Sequence, residues 1–148
     1  MTMRTRDFSR APAQARAGAM FIGGTRYASP LVLLRLAPDW FRMVRDMRRM
    51  SGYCWHTVYW QFPLTLGTIA FFTDRDAMLR FARTRHHRKL MAWLTDGGRN
   101  ATAGFIRLYT ASPDGYSNGA WRAEDGAMGH IDTFTPLGAE TTGPAVRR

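Results

Sequence analysis

Two adjacent histidines, His86 and His87, lie in the segment FARTRHHRKLMAWL (81–94) and make up half of the four histidines in the chain. Histidine titrates near neutral pH and its neutral ring binds iron, so it can transfer protons or hold haem. Neighbouring positions on a helix point about 100° apart, so the two rings cannot converge on one metal ion. We therefore expect the two rings to lie in different surroundings.

The helical pattern separates the two rings. His86 falls on an apolar stripe whose members are four or seven positions away, namely Leu79, Ala82, Leu90 and Trp93. His87 falls about 100° further round, beside Arg83 and Met91. We predict that His86 faces a cavity as a catalytic residue or haem ligand, and that His87 lies on the solvated face. The alternative for His86 is a core histidine bonded to a neighbouring carbonyl group.

A third histidine, His56, lies in the strand-like segment YCWHTVYW (53–60). A polar group among aromatic side chains can orient a substrate or accept a proton in a pocket, so His56 is the second predicted catalytic residue. The alternative is a strand histidine on a helix-covered face whose ring is satisfied locally. The aromatic residues predicted to contact a substrate are Trp55, Tyr59, Trp60, Phe72 and Trp93.

Arg107 is a charged residue within an otherwise apolar strand. Its guanidinium could pair with a substrate carboxylate or a haem propionate, although an edge residue reaching solvent explains it equally well. The chain lacks a Gly-rich nucleotide motif, a His and carboxylate metal motif, and a Gly-x-Ser-x-Gly elbow. These absences argue against nucleotide-driven, zinc-dependent and hydrolytic mechanisms.

Composition limits the partners and the compartment. A chain of 148 residues that is 45% hydrophobic supports one core. The net charge of +10 arises from 21 basic residues of which only Lys89 is a lysine, a bias typical of GC-rich codon usage, so we do not expect a nucleic-acid partner. We also predict a cytoplasmic protein without membrane contact. The chain has a single cysteine and an N-terminus without a secretory pattern. Its longest apolar run (62–72) is about half the ~20 residues of a membrane span.

The pattern of elements predicts an α+β fold. Strands are expected at 19–29, 53–62, 65–73 and 101–112, with helices over 38–52 and about 76–98 and an extended or loop segment at 30–38. The order strand, helix, strand, strand, helix, strand is that of a ferredoxin-like βαββαβ domain. We expect this domain at 19–112, a disordered basic tail at 1–18 and a loop-rich extension at 113–148.

The second face of such a sheet is also apolar here and needs cover. Depending on register it carries Tyr53, Trp55 and Tyr59, or Cys54, Val58 and Trp60. Packing against the same face of a second copy would bury these side chains. The sequence therefore predicts a homodimer in the form of a dimeric α+β barrel.

Three segments carry a family resemblance: APDWFRMVRDMRRMSGY (37–53), TLGTIAFFTDRDAMLRFARTRHHRKLMAWL (65–94) and GFIRLYTASPDGY (104–116). They resemble small bacterial monooxygenase-like proteins, and residues 71–121 are also similar to spheroidene monooxygenase, a haem-associated member of the dimeric α+β barrel group. The resemblance implies an oxygenase that acts on a hydrophobic or aromatic small molecule in a barrel cavity, either with haem or without a cofactor. With haem the expected ligand is His86, and without haem the expected base is His56.

Two other function classes stay open. The fold serves many activities, so a non-catalytic dimer that binds a small molecule is the first alternative. A basic nucleic-acid-binding module is the second, and it would bind polyphosphate with a steep salt dependence.

Overall fold

The computed structural model describes residues 4–118, which divide into two compact units. The larger unit spans residues 17–110, and the smaller one combines residues 4–16 with 111–118. In chain order the elements are β1 (Arg4–Thr5), β2 (Ala19–Tyr27), α1 (Pro30–Arg49), β3 (Tyr53–Gln61), β4 (Thr65–Phe72), α2 (Arg75–Ala82), α3 (Arg85–Leu94), β5 (Ala101–Thr110) and β6 (Ser117–Asn118).

The larger unit is built on a four-stranded sheet with the order β3-β4-β2-β5, in which every neighbouring pair is antiparallel. Each helical connection places a strand between the two strands that it joins, which is the topology of a ferredoxin-like domain. The predicted α+β fold class and its four strands are thus confirmed. The first helix of this unit is longer than predicted, and the second predicted helix is divided in two.

Helix α1 begins at Pro30, so the prediction of an extended segment at 30–38 is wrong. Ser29 caps the helix, because its hydroxyl accepts a hydrogen bond from the Val32 N–H at 3.3 Å, and proline is well suited to a first turn. Pro38 lies inside the helix, where it removes one backbone donor. The helix continues past it because one apolar stripe, from Val32 to Met47, is buried along its whole length.

The second predicted helix, of about six turns, is two helices. Helix α2 starts after Asp74, whose carboxylate accepts the Ala77 N–H at 2.8 Å, and it ends at Ala82. Thr84 then has an extended backbone, with φ of −63° and ψ of 150°, before α3 begins at Arg85. Spacing counted across this break therefore does not predict a shared face.

The core lies between the sheet and the helices. Phe21, Phe72 and Phe81 stack with ring centroids 5.9 to 6.2 Å apart, and Met47 of α1 is fully buried beside them. Within residues 4–118, no helix combines the length and the apolar character needed to cross a membrane.

The two faces of the sheet differ in cover. Side chains alternate along each strand, so Phe21 and Tyr27 of β2 point towards the helices while Met20 and Ile22 point to the opposite side, which we call the outer face. A register shift between Tyr53 and Trp55 places Tyr53 on the helix-covered side and Trp55 on the outer face.

In the smaller unit, β1 pairs antiparallel with β6, and the Ser117 hydroxyl donates a hydrogen bond to the Asp7 carbonyl at 2.5 Å. Arg4 and Thr5 therefore form a strand within the segment that the sequence predicts to be a disordered tail. Most of the predicted C-terminal extension, residues 119–148, lies outside the described residues.

Candidate functional site

A cavity of about 590 Å³ lies between the helices and the sheet of the larger unit. It forms because α3 packs mainly against α1, while α1 and α2 supply the main contacts with the sheet. Its walls include Met43, Val44 and Met47 of α1, Phe81 of α2, and Leu90, Met91 and Leu94 of α3. The side chains that line it include no Asp, Glu, Lys or Arg within the described chain. The cavity thus favours an uncharged, largely apolar ligand.

Two glycines open the floor of this cavity. Gly23 of β2 and Gly104 of β5 both lie at helix-facing positions of the sheet. A Cβ atom added to Gly23 would come no closer than 3.4 Å to its neighbours, and one added to Gly104 would meet the same limit. At these two positions the cavity therefore extends down to the sheet backbone.

His87 lines the cavity. Its Nδ1–H donates a hydrogen bond to the Ala82 carbonyl at 3.0 Å, so Nε2 is the unprotonated nitrogen, and Nε2 has no hydrogen-bond partner among the described residues. The ring meets Phe81 edge-on, with centroids 5.0 Å apart. Burial lowers the pKa of His87 below its ordinary value, and the bond to the Ala82 carbonyl opposes that shift only in part. His87 is therefore a neutral ring with a free basic nitrogen at neutral pH.

Tyr27 is the other titratable side chain of the cavity lining. Burial raises the pKa of its hydroxyl, although a hydrogen bond with the Thr25 side chain acts in the opposite direction. Tyr27 therefore keeps its proton at neutral pH and is suited to donate a hydrogen bond.

The prediction that His86 faces the cavity and His87 the solvent is wrong. The His86 Nδ1 atom is hydrogen-bonded to the Asp46 carboxylate of α1, and its side chain, 30% exposed, lies outside the cavity lining. The physical reason is the break at Thr84. The directions in which the His86 and His87 side chains point are set by α3 alone, so helical spacing from Ala82 of α2 does not predict them. Sequence reasoning missed His87, although Thr84, a residue type common at helix starts, was a signal for the break.

His56 lies on the helix-covered side of β3 but does not line the cavity. A hydrogen bond of 2.6 Å joins its Nδ1 to the Tyr53 hydroxyl. Burial, and secondarily the nearby charge of Arg48, lower the pKa of His56. This is the locally satisfied strand histidine that the sequence offered as the alternative.

The five aromatic residues predicted to contact substrate do not line the cavity. Trp55 and Tyr59 lie on the outer face, and Trp60 lies at the exposed edge, where its indole N–H donates to the Pro63 carbonyl at 3.3 Å. Phe72 is wholly buried in the core, and Trp93 packs against the core from α3. The aromatic residues that line the cavity are instead Phe21, Tyr27, Phe81 and Phe105.

The haem site predicted from the sequence does not assemble. His86, the predicted iron ligand, is bonded to Asp46 on the helix surface. Arg107, the predicted propionate partner, lies on the outer face of β5 opposite Ile22, so the sheet separates it from the cavity. No group of three potential metal ligands occurs among residues 4–118.

No protein-family model and no curated protein matches the chain. Solved structures do share its fold. An antibiotic biosynthesis monooxygenase matches with a TM-score of 0.54 and 17% identity over 64% of this chain and 99% of its own. SnoaB, a cofactor-independent oxygenase from Streptomyces nogalater, matches with a TM-score of 0.51 and 18% identity over 65% and 94%. A conserved protein from Methanosarcina mazei Go1 matches with a TM-score of 0.55 and 13% identity over 66% and 96%.

These matches extend over nearly the full length of the other chains and about two thirds of this one. The resemblance read from the sequence, to monooxygenase-like proteins of the dimeric α+β barrel group, is therefore confirmed at the level of the fold. Identities below 20% carry the comparison no further than the fold.

Proposed function

We propose that this protein is a cofactor-independent oxygenase that binds a neutral aromatic molecule in the cavity and uses His87 as its general base. The observation that carries the proposal is the His87 ring, which lines a largely apolar cavity and is hydrogen-bonded through Nδ1 to the Ala82 carbonyl. A base with a depressed pKa, held in one tautomer, is already unprotonated at neutral pH.

The substrate class follows from the lining. A volume of about 590 Å³ falls within the range of small-molecule sites, about 300 to 1,000 Å³. A substrate carboxylate would find no cationic side chain among the described lining residues, so an uncharged ligand fits best. The space above the backbone at Gly23 and Gly104 leaves room for a fused aromatic ring system.

In the proposed reaction, Nε2 of His87 removes a proton from a methylene carbon that a phenol ring activates. The resulting anion reacts with O2, and the carbon finally loses two hydrogens and gains one oxygen as a carbonyl. The second oxygen atom leaves as water with those two hydrogens. The substrate thus supplies all four electrons, so no external reductant is needed. Tyr27 can donate a hydrogen bond to the oxygen on which charge develops.

A cofactor-free reaction is supported by two findings. SnoaB, which shares the fold, is a cofactor-independent oxygenase. The predicted haem ligand and the predicted propionate partner lie apart, and both lie outside the cavity.

The proposed assembly is a homodimer that covers the outer face. Trp55, Phe105 and Tyr109 are 38%, 55% and 47% exposed on that face. Strand β5 is also a sheet edge, and edges with exposed apolar side chains favour pairing.

The experiment is oxygen uptake by the purified protein with neutral phenols of two or three fused rings that carry a ring methylene carbon. We expect uptake by the wild type, a loss of about 100-fold or more in His87→Asn, and near-normal rates in His86→Asn. The asparagine amide can still donate to the Ala82 carbonyl, so His87→Asn removes the base and keeps the fold. The neighbouring His86→Asn is the matched control outside the cavity.

Full activity in His87→Asn, or activity that appears only after hemin is added, would overturn the proposal. Tight binding of these compounds without oxygen uptake would instead support the alternative of a non-catalytic binding protein.

A further inference from the structure

The short break between α2 and α3 gives the carbonyl groups at its edge unusual partners. In a continuous helix the Phe81 and Ala82 carbonyls would accept the backbone N–H groups of Arg85 and His86. Here the Phe81 carbonyl accepts the Thr84 N–H at 3.0 Å and the Thr84 hydroxyl at 2.8 Å. The Ala82 carbonyl accepts the His87 Nδ1–H. The break thus frees the one acceptor that fixes the His87 tautomer.

The Thr84 hydroxyl does not serve the helix that Thr84 starts. Threonine at a helix N-cap usually accepts a backbone N–H of the first turn, but no such bond forms in α3. The Thr84 backbone carbonyl accepts the Arg88 N–H at 3.0 Å in the ordinary way. The hydroxyl instead donates its hydrogen bond to the last turn of α2.

We propose that Thr84 is a positioning residue for His87: its hydroxyl holds the α2–α3 break open, and the open break holds His87 as the Nδ1–H tautomer with Nε2 free for the cavity. The importance of Thr84 for catalysis rests on the proposed role of His87 as base. The tautomer itself does not depend on that role. Without the Thr84 hydroxyl, a continuous helix competes with the break, the His86 N–H takes the Ala82 carbonyl, and the His87 Nδ1–H loses its acceptor.

The test is imidazole ¹⁵N NMR of the full chain at a pH where histidine is neutral. The shifts of Nδ1 and Nε2 distinguish the protonated from the unprotonated nitrogen. We expect the Nδ1–H form in the wild type and in Thr84→Ser, which retains the hydroxyl. Thr84→Val, which keeps the shape and loses the hydroxyl, should lower the ratio of Nδ1–H to Nε2–H by about fivefold, as the loss of one neutral hydrogen bond allows. Thr84→Ala, a better helix former, should lower it further.

Thr95→Ala is the matched control, because the Thr95 hydroxyl makes the same kind of bond, to the Met91 carbonyl at 2.8 Å, at the far end of α3. The His56 signals serve as an internal reference and should not move in any variant. If Thr84→Ala does not fold, the comparison of wild type, Thr84→Ser and Thr84→Val decides the matter.

A wild type in the Nε2–H form, or an unchanged ratio in Thr84→Val, would overturn the inference. These readings need no substrate, so they are independent of oxygen uptake. An inactive protein with the expected tautomers would refute the proposed function and leave the positioning role of Thr84 standing.

Discussion

The two faces of the sheet use glycine for opposite purposes. On the helix-covered face, Gly23 and Gly104 leave space that remains open and becomes the cavity floor. On the outer face, Gly24 and Gly67 leave space that aromatic rings fill. The Tyr59 ring lies directly on Gly67, and its hydroxyl reaches across Gly24 to donate to the Gly23 carbonyl at 3.1 Å. The same residue type thus creates a binding space on one face and a packed aromatic layer on the other.

The two faces should therefore respond differently to an added side chain, one through stability and the other through binding. A side chain added on the outer face must displace an aromatic ring, which costs packing energy. A side chain added on the helix-covered face enters empty volume and displaces only a ligand.

The largest effect is expected for Gly67→Ala. A Cβ atom there would overlap the Tyr59 ring, so the ring must move and its bond to the Gly23 carbonyl is lost. We expect the free energy of unfolding to fall by about 2 to 4 kcal/mol, from overpacking and one lost hydrogen bond. Urea unfolding of Gly67→Ala, Tyr59→Ala and the double variant measures it. Additive effects in the double variant would contradict the proposed overlap.

The next effect concerns the oligomer. If the outer face is the dimer interface, Trp55→Arg places a charge in it, and the particle mass should fall from twice 16.8 kDa to 16.8 kDa in light scattering. Trp60→Arg is the matched control, since Trp60 belongs to the same strand, is 60% exposed and lies on the opposite side of the sheet. Equal masses for both variants, or a monomeric wild type, would show that this face is not an interface.

Gly23→Val should leave stability within about 1 kcal/mol of the wild type, because valine suits a strand, its Cβ atom meets no neighbour closer than 3.4 Å, and its methyl groups have the cavity volume to enter. Filling the floor should weaken binding of 1-naphthol, used as a probe, by about tenfold or more, which fluorescence titration can measure. Thr68→Val, at the cross-strand neighbour of Gly23, keeps the cavity volume and should bind almost normally. Undiminished binding of 1-naphthol by Gly23→Val would show that the probe binds outside the cavity.

Much of the fold was predictable from the sequence because the strands follow strong local patterns. The aromatic and β-branched runs of β3 and β4, and the short turn at Pro63 and Leu64, identify the hairpin. Both helix errors arose where local signals compete with tertiary packing. Pro38 suggested a helix start, yet the burial of Val32 and Leu36 extends α1 in front of it. No proline or glycine marks the break at Thr84, which depends on side-chain bonds to the end of α2.

The candidate site was less predictable, because a cavity is defined by what is absent. The sequence drew attention to five large aromatic residues, but those lie in the core, on the outer face or, for Trp60, at the exposed edge. The cavity depends on glycines in register across strands, and on the helical phase that selects His87 over His86. Strand register and helix phase both follow from packing, so neither can be derived from local sequence patterns alone.

The smallest expected effect is the pH dependence of stability, and it belongs to the helix-covered face. Burial lowers the pKa of both His56 and His87 below the ordinary value of 6.5. The unfolded chain therefore binds protons at these sites more readily, and the free energy of unfolding should fall as the pH drops below about 6.5. The contribution of the two neutral rings to the free energy of unfolding is complete above that pH and is lost progressively down to the pKa values of the folded state. The Asp39 and Asp74 carboxylates, whose pKa values are lowered from 3.8, lose their contribution to stability only below that value, in a separate pH range.

The double variant His56→Gln and His87→Asn should flatten the dependence of the free energy of unfolding on pH between pH 7 and 5, measured by urea unfolding. The change should be modest because both rings are only partly buried. Equal slopes for the wild type and the double variant in this range would show that burial does not lower the pKa of these two rings.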